Sequence, residues 1–363
     1  MIDGSRWIEP LGLLDGPAAF AAVGAGRALP LAGGPMAFCL ARLIQLGVTR
    51  AIVPAVDVPD DWSALLDTLT EAPPPFAGLA VQPGRPLVMG IVNVTPDSFS
   101  DGGRHASHDA AIAAGHAMLA AGADILDIGG ESTRPGAAPV TPAEECARVL
   151  PVIRALATAA PLSIDTRNAS TMALALEAGA EIVNDVTGLR HDPLATRTVS
   201  EARAPVVLMH SSTADPRTMQ AQARYDDPAL EVAGFLAARI AAAGAAGIPR
   251  ARICVDPGIG FGKTAAHNLA ILDRLPLFLG LGCAILVGAS RKRFIGTLSG
   301  QDDAARRGPG SIGAALAAAA RGAAIIRVHD VAETIQALAV WRAIQAGDMP
   351  ALDDPRRPDV SPR

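Results

Sequence analysis

Arg327 and His329 stand two apart at the end of a short apolar run, so on an extended chain both side chains leave the same face. A guanidinium is a planar donor fork suited to phosphate oxygens. Seven other apolar runs between Pro86 and Gly347 stop just as abruptly at polar groups. In order these are Asn93, Glu131 with Ser132, Thr133 and Arg134, then Asp165, Asn184 with Asp185, His210, Asp256, and Ser290 with Arg291 and Lys292. Carboxylates, amides, an ammonium and guanidinium groups are therefore spread over two hundred positions. They can act together only if the fold gathers the run ends. The glycine run Gly258-x-Gly260-x-Gly262-Lys263 is not a nucleotide loop, because it lacks the spacing and the trailing Ser/Thr of a Walker A motif.

Each run is rich in Val, Ile and Leu, and each stop is followed by a longer Ala/Leu-rich segment. Parallel strands covered by helices are buried on both faces, so they read as continuous rather than alternating apolar runs. Eight strand-then-helix units over about 260 residues match the roughly 250 residues of a (β/α)8 TIM barrel, whose chemistry sits at the carboxyl ends of its strands. An open doubly wound sheet would want a glycine fingerprint opening the first helix. Gly24, Gly26 and Leu29 break that spacing. Strands are expected over 87–94, 124–129, 162–165, 182–186, 206–210, 253–257, 285–289 and 324–329, with helices between them. Thr141, Pro142 and Glu144 mark a helix start with the makings of a capping box. Asn168 and Asp192 are candidate caps for the next two helices.

Residues 1–85 do not fit the repeat. Helices over 36–46 and 62–70 flanking a strand over 51–56 suggest a small α/β extension, joined through Pro73, Pro74 and Pro75 to the barrel of 86–347. No constellation in the extension suggests chemistry. The stretch 348–363, with Pro350, Pro355, Pro358 and Pro362, reads as a disordered tail. Half the residues are hydrophobic but only 3% are aromatic, so the core must be aliphatic. The formal charge of −5 and the absence of a dense basic tract argue against a nucleic-acid partner. The longest uncharged stretch, 275–290, falls short of the roughly 20 residues of a membrane span. Asp3, Arg6 and Glu9 leave no signal-peptide pattern, so a cytoplasmic protein is expected. Cys39, Cys146, Cys254 and Cys283 show neither zinc-site spacing nor a disulfide framework, and they read as small core residues.

Two segments resemble the signature loops of the dihydropteroate synthases: Asn93 through Gly103 (NVTPDSFSDGG) and Gly129 through Gly136 (GGESTRPG). Further segments in the same order are similar to that family. They are Ser163-Ile164-Asp165-Thr166, Val183-Asn184-Asp185, Asp256 through Lys263, Ser290-Arg291-Lys292 and Arg327-Val328-His329-Asp330. The resemblance covers 86 to about 347 and omits the extension.

It implies condensation of 6-hydroxymethyl-7,8-dihydropterin diphosphate with 4-aminobenzoate, giving 7,8-dihydropteroate and diphosphate. A pterin edge is a guanidine-like donor array beside a carbonyl, so its pocket needs carboxylates, an amide and a cation. By resemblance, Asp165, Asn184, Asp256 and Lys292 supply them, with Met209 and Gly288. Asn93, Arg327 and His329 take the diphosphate, and Asn93 the Mg2+ that accompanies it. Ser132, Thr133, Arg134, Pro135 and Phe261 surround the aminobenzoate, with Phe99 and Asp101 ordering nearby. Lys292, Arg327, His329, Asp101 and Arg134 carry the catalytic weight, in a dissociative route that needs no tuned general base. The two loops, 95–105 and 131–138, read as mobile lids, and a homodimer through the late helices is implied. Asp185, adjacent to Asn184, is expected to point the other way, and His210 to be structural. The chain departs from the family in carrying Arg293 where many members have Ser, which makes Arg293 a candidate for the aminobenzoate carboxylate. Ser211 and Ser212 replace a common Met-Gln pair. A folate-binding methyltransferase domain shares the pterin carboxylates but has no need of the diphosphate residues or the 132–135 loop. A non-catalytic pterin-binding module is the non-enzyme alternative.

Overall fold

The computed structural model describes residues 5–82, 84–94, 103–131, 140–212 and 223–346, with the side chains of 103–107 outside that description. The expected tail, 348–363, lies outside the described residues, as does most of both expected lids.

The first six elements are β1 (Arg6–Leu14), α1 (Gly16–Gly24), β2 (Leu29–Pro30), β3 (Ala37–Gln45), β4 (Val48–Pro54) and α2 (Ser63–Thr70). The four strands form an antiparallel sheet in which β3 pairs with each of the others. This corrects the helix expected over 36–46, which is strand β3; β1 and α1 were not anticipated. Apolar residues at 37, 38, 40, 41, 43 and 44 do fit a helical stripe. They fit because Phe38, Ala41, Leu43 and Ile44 are all buried, and a strand covered on both faces loses the alternation that identifies it. Leu46 and Gly47 have φ of +52° and +75°, the two-residue geometry that joins hairpin strands tightly.

Eight parallel strands follow: β5 (Leu87–Asn93), β6 (Ile125–Gly129), β7 (Leu162–Asp165), β8 (Ile182–Asp185), β9 (Val206–Met209), β10 (Ile253–Asp256), β11 (Ala284–Val287) and β12 (Ile325–Val328). They close into a barrel, with β12 pairing back to β5. Between and after them run α3 (Gly103–Ala120), α4 (Pro142–Leu156), α5 (Ala169–Glu177), α6 (Ala195–Ala202), α7 (Pro228–Ala245), α8 (Ala265–Asp273), α9 (Arg293–Ser299), α10 (Gly308–Ala319) and α11 (Val331–Ala346). The expected TIM barrel is the fold, with strand bounds shifted by a residue or two.

The barrel interior explains the polar stops. Ile125, Ile182, Val207, Cys254, Leu286 and Ile325 pack together inside it with Leu87 and Met89. Side chains alternate along a strand, so residues two positions further on also face inward. Those residues are Asp127, Asn184, Met209, Asp256, Gly288 and Arg327. An apolar plug thus carries a polar layer at the carboxyl end. At the other end Phe76 and Val81, from the segment between α2 and β5, join the plug and close it.

Apart from a small cluster of Ala19, Ala28 and Ala37, the extension shares its core with the barrel. Trp7, Ile8, Leu31, Phe38 and Ile44 belong to one apolar cluster with Leu275, Leu277 and Phe278, which follow α8. Beside it Arg274 grips Glu9 of β1 through Nε (2.7 Å) and Nη2 (3.0 Å). Its Nη1 reaches both carboxylate oxygens of Asp227, at 2.7 and 2.8 Å, and Asp227 in turn caps α7 by accepting from Leu230 N. The α7 helix is long and apolar enough by length and composition to cross a membrane, yet its Val232, Leu236, Ile240 and Ala243 are buried in the barrel wall.

Thr141 caps α4 as expected, accepting from Glu144 N at 3.3 Å, but the Glu144 side chain pairs with Arg148 and leaves the box half formed. Asn168 stands at the start of α5 without capping it; Asp192 reaches across to accept from Ala169 N (2.9 Å). All four cysteines are free thiols, and burial holds Cys254 and Cys283 well above the ordinary range, which leaves them unreactive.

Candidate functional site

At the centre of the polar layer Arg327 bridges two carboxylates. Its Nε donates to Asp127 Oδ2 at 2.6 Å and its Nη2 to Asp165 Oδ2 at 2.8 Å. Asn184 Nδ2 donates to the same Asp127 oxygen at 3.0 Å. Asp127 is fully buried, while the Asp165 and Arg327 side chains keep 15% and 18% of their surface open at the barrel mouth. Burial raises the Asp165 carboxyl above the ordinary range, with Arg327 pulling it down and Asp127 adding to the rise. Arg327 stays charged because two carboxylates outweigh its desolvation. Asp330, close by in sequence, pairs with Arg291 rather than with Arg327.

Asp127 was not anticipated from the sequence. Its signal was there to read: a lone carboxylate two residues before the end of an otherwise apolar strand, Ile-Leu-Asp-Ile-Gly. Its Oδ1 is buried and has no hydrogen-bond partner among the described residues. An orphaned acceptor in a folded protein calls for a donor from elsewhere.

Asp256 lies across the layer, beside Met209 of the neighbouring strand. Burial raises its carboxyl, opposed by a hydrogen bond from Gly258 N (2.7 Å) and by the charges of Lys292, Lys263 and Arg327. Gly288 leaves the floor between Asp256 and Arg327 open, since a Cβ there would stand 3.8 Å from Arg327 Cβ and 4.0 Å from Asp256 Oδ2. The Lys292 ammonium sits 3.9 Å above the Phe261 ring, a cation held on an aromatic face. Gly260, at φ +82°, lets the Lys292 stem lie across the 258–262 loop, because a side chain there would meet Lys292 Cδ at 3.0 Å.

At the rim, Ser290 Oγ is 3.0 Å from His329 Nδ1 and accepts from His329 N at 3.2 Å. Burial and the nearby Arg327 hold His329 down to about 3, so its ring is neutral. Asn93 is exposed at the end of β5. Gly129 separates it from Asp165, with room for a Cβ 3.9 Å from Asn93 Oδ1 and 3.6 Å from Asp165 Cβ. Arg293 is exposed at the first turn of α9.

Several residues stand apart. Asp185 faces away and accepts from Thr187 N, Thr187 Oγ1 and Leu189 N, which is the orientation expected of it; burial pushes it up to about 6. His210 is buried against Lys263 and Phe235, consistent with a structural role. Glu131 pairs with Arg167 through two bonds, 2.9 and 3.1 Å. Arg148 donates to Gly130 O, so the base of the second loop is tied to the helix layer. Asp101, Ser132, Thr133, Arg134 and Pro135, with Phe99, lie outside the described residues.

The barrel mouth therefore gathers carboxylate acceptors, an amide, two cations and a rim of neutral donors at one end of the barrel. Such a set can grip the donor edge of a flat heterocycle and neutralise an anionic leaving group. Among the described residues no cluster of three or more His, Cys, Asp or Glu could hold a metal ion.

Residues 89–329 match the family model described as pterin binding enzyme. The chain is 49% identical over 265 residues to the dihydropteroate synthase of Neisseria meningitidis serogroup C, which covers 72% of this chain and 93% of that one. It is also similar to solved structures of the Xanthomonas albilineans dihydropteroate synthase. With 4-aminobenzoic acid the TM-score is 0.69 at 51% identity, covering 73% of this chain and 94% of the other. With 7,8-dihydropteroate it is 0.67 at 48%, covering 75% and 97%.

Proposed function

The chain belongs to the pterin-binding enzyme family, among its dihydropteroate synthases, and from that premise we propose how its own residues divide the work. The reaction is condensation of 6-hydroxymethyl-7,8-dihydropterin diphosphate with 4-aminobenzoate to 7,8-dihydropteroate and diphosphate; the chain is a transferase of folate biosynthesis. The pterin edge enters the polar layer, donating to Asp127, Asp165 and Asp256 and bonding to Asn184, while Lys292 donates to its carbonyl. Met209 and Gly288 shape the floor. The observation that carries this reading is the Oδ1 of Asp127, a buried acceptor in the polar layer with no hydrogen-bond partner among the described residues. A site built for such an edge rejects analogues lacking it by roughly 10⁴ to 10⁵.

The carbon–oxygen bond at the pterin methylene breaks with its electrons leaving on the diphosphate. Arg327, His329, Ser290 and Asn93 face that departing charge and stabilise it. The neutral arylamine then bonds to the methylene and afterwards loses its proton. Phe261, Arg293, Ser132, Thr133, Arg134 and Pro135, with Asp101, receive the aminobenzoate. Asn93, with one neutral oxygen at the end of β5, would hold a Mg2+ that enters with the substrate, an ion that needs few protein ligands. When bound it neutralises diphosphate charge.

A homodimer and a cytoplasmic location complete the proposal. Leu269 of α8 and Leu298 of α9 are exposed beside a groove floored by Leu272, Phe294 and Ala314, and Val340 and Ile344 of α11 are exposed as well. Sedimentation should give two chains per particle, and Leu298→Asp should give one. For the reaction, purified protein is mixed with the pterin diphosphate, 4-aminobenzoate and Mg2+, and dihydropteroate and diphosphate are measured. Lys292→Ala and Asp256→Ala should each lower turnover at least a hundredfold. Tight pterin binding with no diphosphate release would instead make the chain a binding module.

A further inference from the structure

One buried cation has no part in the chemistry above. Lys263 closes the glycine run, and its side chain folds back beneath the loop it ends. Its Nζ donates to Gly258 O at 2.9 Å and Phe261 O at 3.0 Å, and lies 2.9 Å from Nδ1 of His210. Three acceptors match the three protons of an ammonium. His210 is held in place for this by the Phe235 ring, edge-on at 4.7 Å.

The loop is stitched from other directions as well. Asp256 Oδ1 takes the N–H of Gly258, Asn268 Oδ1 that of Gly260 (2.8 Å), and the Tyr225 hydroxyl donates to Gly262 O (3.1 Å). Gly258 has φ +68°, and a Cβ there would fall 2.0 Å from His210 O. The loop backbone thus presses directly on the end of β9, and Lys263 grips two of its carbonyls from beneath. What this backbone presents to the cavity is Phe261, under the Lys292 ammonium, and Gly260, under the Lys292 stem.

We propose that Lys263 is a positioning residue: by holding the carbonyls of Gly258 and Phe261 against His210, it sets where Phe261 and Lys292 meet the two substrates, and it touches neither substrate itself. This rests on the reading of the site given above. Lys263→Met keeps the length and bulk of the side chain but takes the donor away from the carbonyls of Gly258 and Phe261, so the loop loses its inner anchor and the melting temperature should fall.

The test is steady-state kinetics of the full-length enzyme with Mg2+, alongside thermal melting. Lys263→Met should melt below the parent yet unfold in a single cooperative transition, lower kcat at least tenfold and raise the KM for 4-aminobenzoate at least tenfold. Lys263→Arg, which keeps donors, should recover a measurable part of both. If Lys263→Met does not fold, His210→Ala, which removes one acceptor, should move kcat and KM in the same directions by a smaller factor. Parent-like kcat and KM in a folded Lys263→Met, or in His210→Ala where that is the variant read, would overturn the proposal. An inactive parent enzyme would instead overturn the functional assignment on which it rests.

Discussion

The Arg327 guanidinium is shared between Asp127 and Asp165 in a way that lysine could not reproduce, because two separate carboxylates each meet a different edge of one planar fork. Removing it strands two buried carboxylates, so Arg327→Leu should cost about 3–5 kcal/mol. Urea unfolding measures this, and a loss below about 1 kcal/mol would mean that the layer rearranges freely. Two imidazoles should dominate the acid limb of stability. Burial holds His210 down to about 2 and His329 to about 3, against an ordinary value near 6.5. Below pH 6.5 the unfolded chain takes up protons that the folded one refuses. Each group's contribution is therefore complete above pH 6.5 and is lost as the pH falls, at up to ~1.4 kcal/mol per unit. His210→Gln should flatten unfolding free energy between pH 6.5 and 4. At the rim, Arg293→Ala should raise the aminobenzoate KM; an unchanged KM would remove Arg293 from the site. The inward acids and cations were readable at strand ends, but Asp127 sits one inward step deeper, within a run whose apolar neighbours hide it.

Among elements, the loop between β10 and α8 is tightly constrained, since Gly258 is required by a backbone contact and Gly260 by the Lys292 side chain. Gly258→Ala combines a left-handed residue, worth about 1–2 kcal/mol, with a Cβ placed 2.0 Å from a backbone oxygen. It should lower the melting temperature and the turnover together, and a variant with normal values of both would show that the loop can back away from β9. The barrel strands were legible because burial on both faces writes an unbroken apolar run that ends where the rim begins. The same rule misled at β3. Its buried residues fall on both faces of the strand, so its pattern imitates a helix, and its pairing with β1 and β4 distinguishes the two.

At the scale of the molecule, the extension is a wall of the barrel rather than an appendage. Phe76 fills the end of the plug, and Phe76→Ala should cost about 3–5 kcal/mol. Glu9 is 3% exposed and bonded to Arg274, so Glu9→Gln should cost about 2 kcal/mol while leaving kcat unchanged, as denaturation and kinetics would show. Deleting residues 1–85 uncovers Leu275, Leu277 and Phe278 and should give an aggregating protein; a soluble, fully active fragment would contradict that role. By itself the sequence determined the eight strands, the end of the barrel that carries the chemistry, and most of the side chains there. Those depend on local burial patterns and on residue types at run ends. Tertiary structure alone decided which carboxylates share Arg327, what Lys263 grips and what the extension covers. Each depends on barrel closure, which sets Asp127 beside an arginine 200 positions away, and no pattern within one strand records its neighbour.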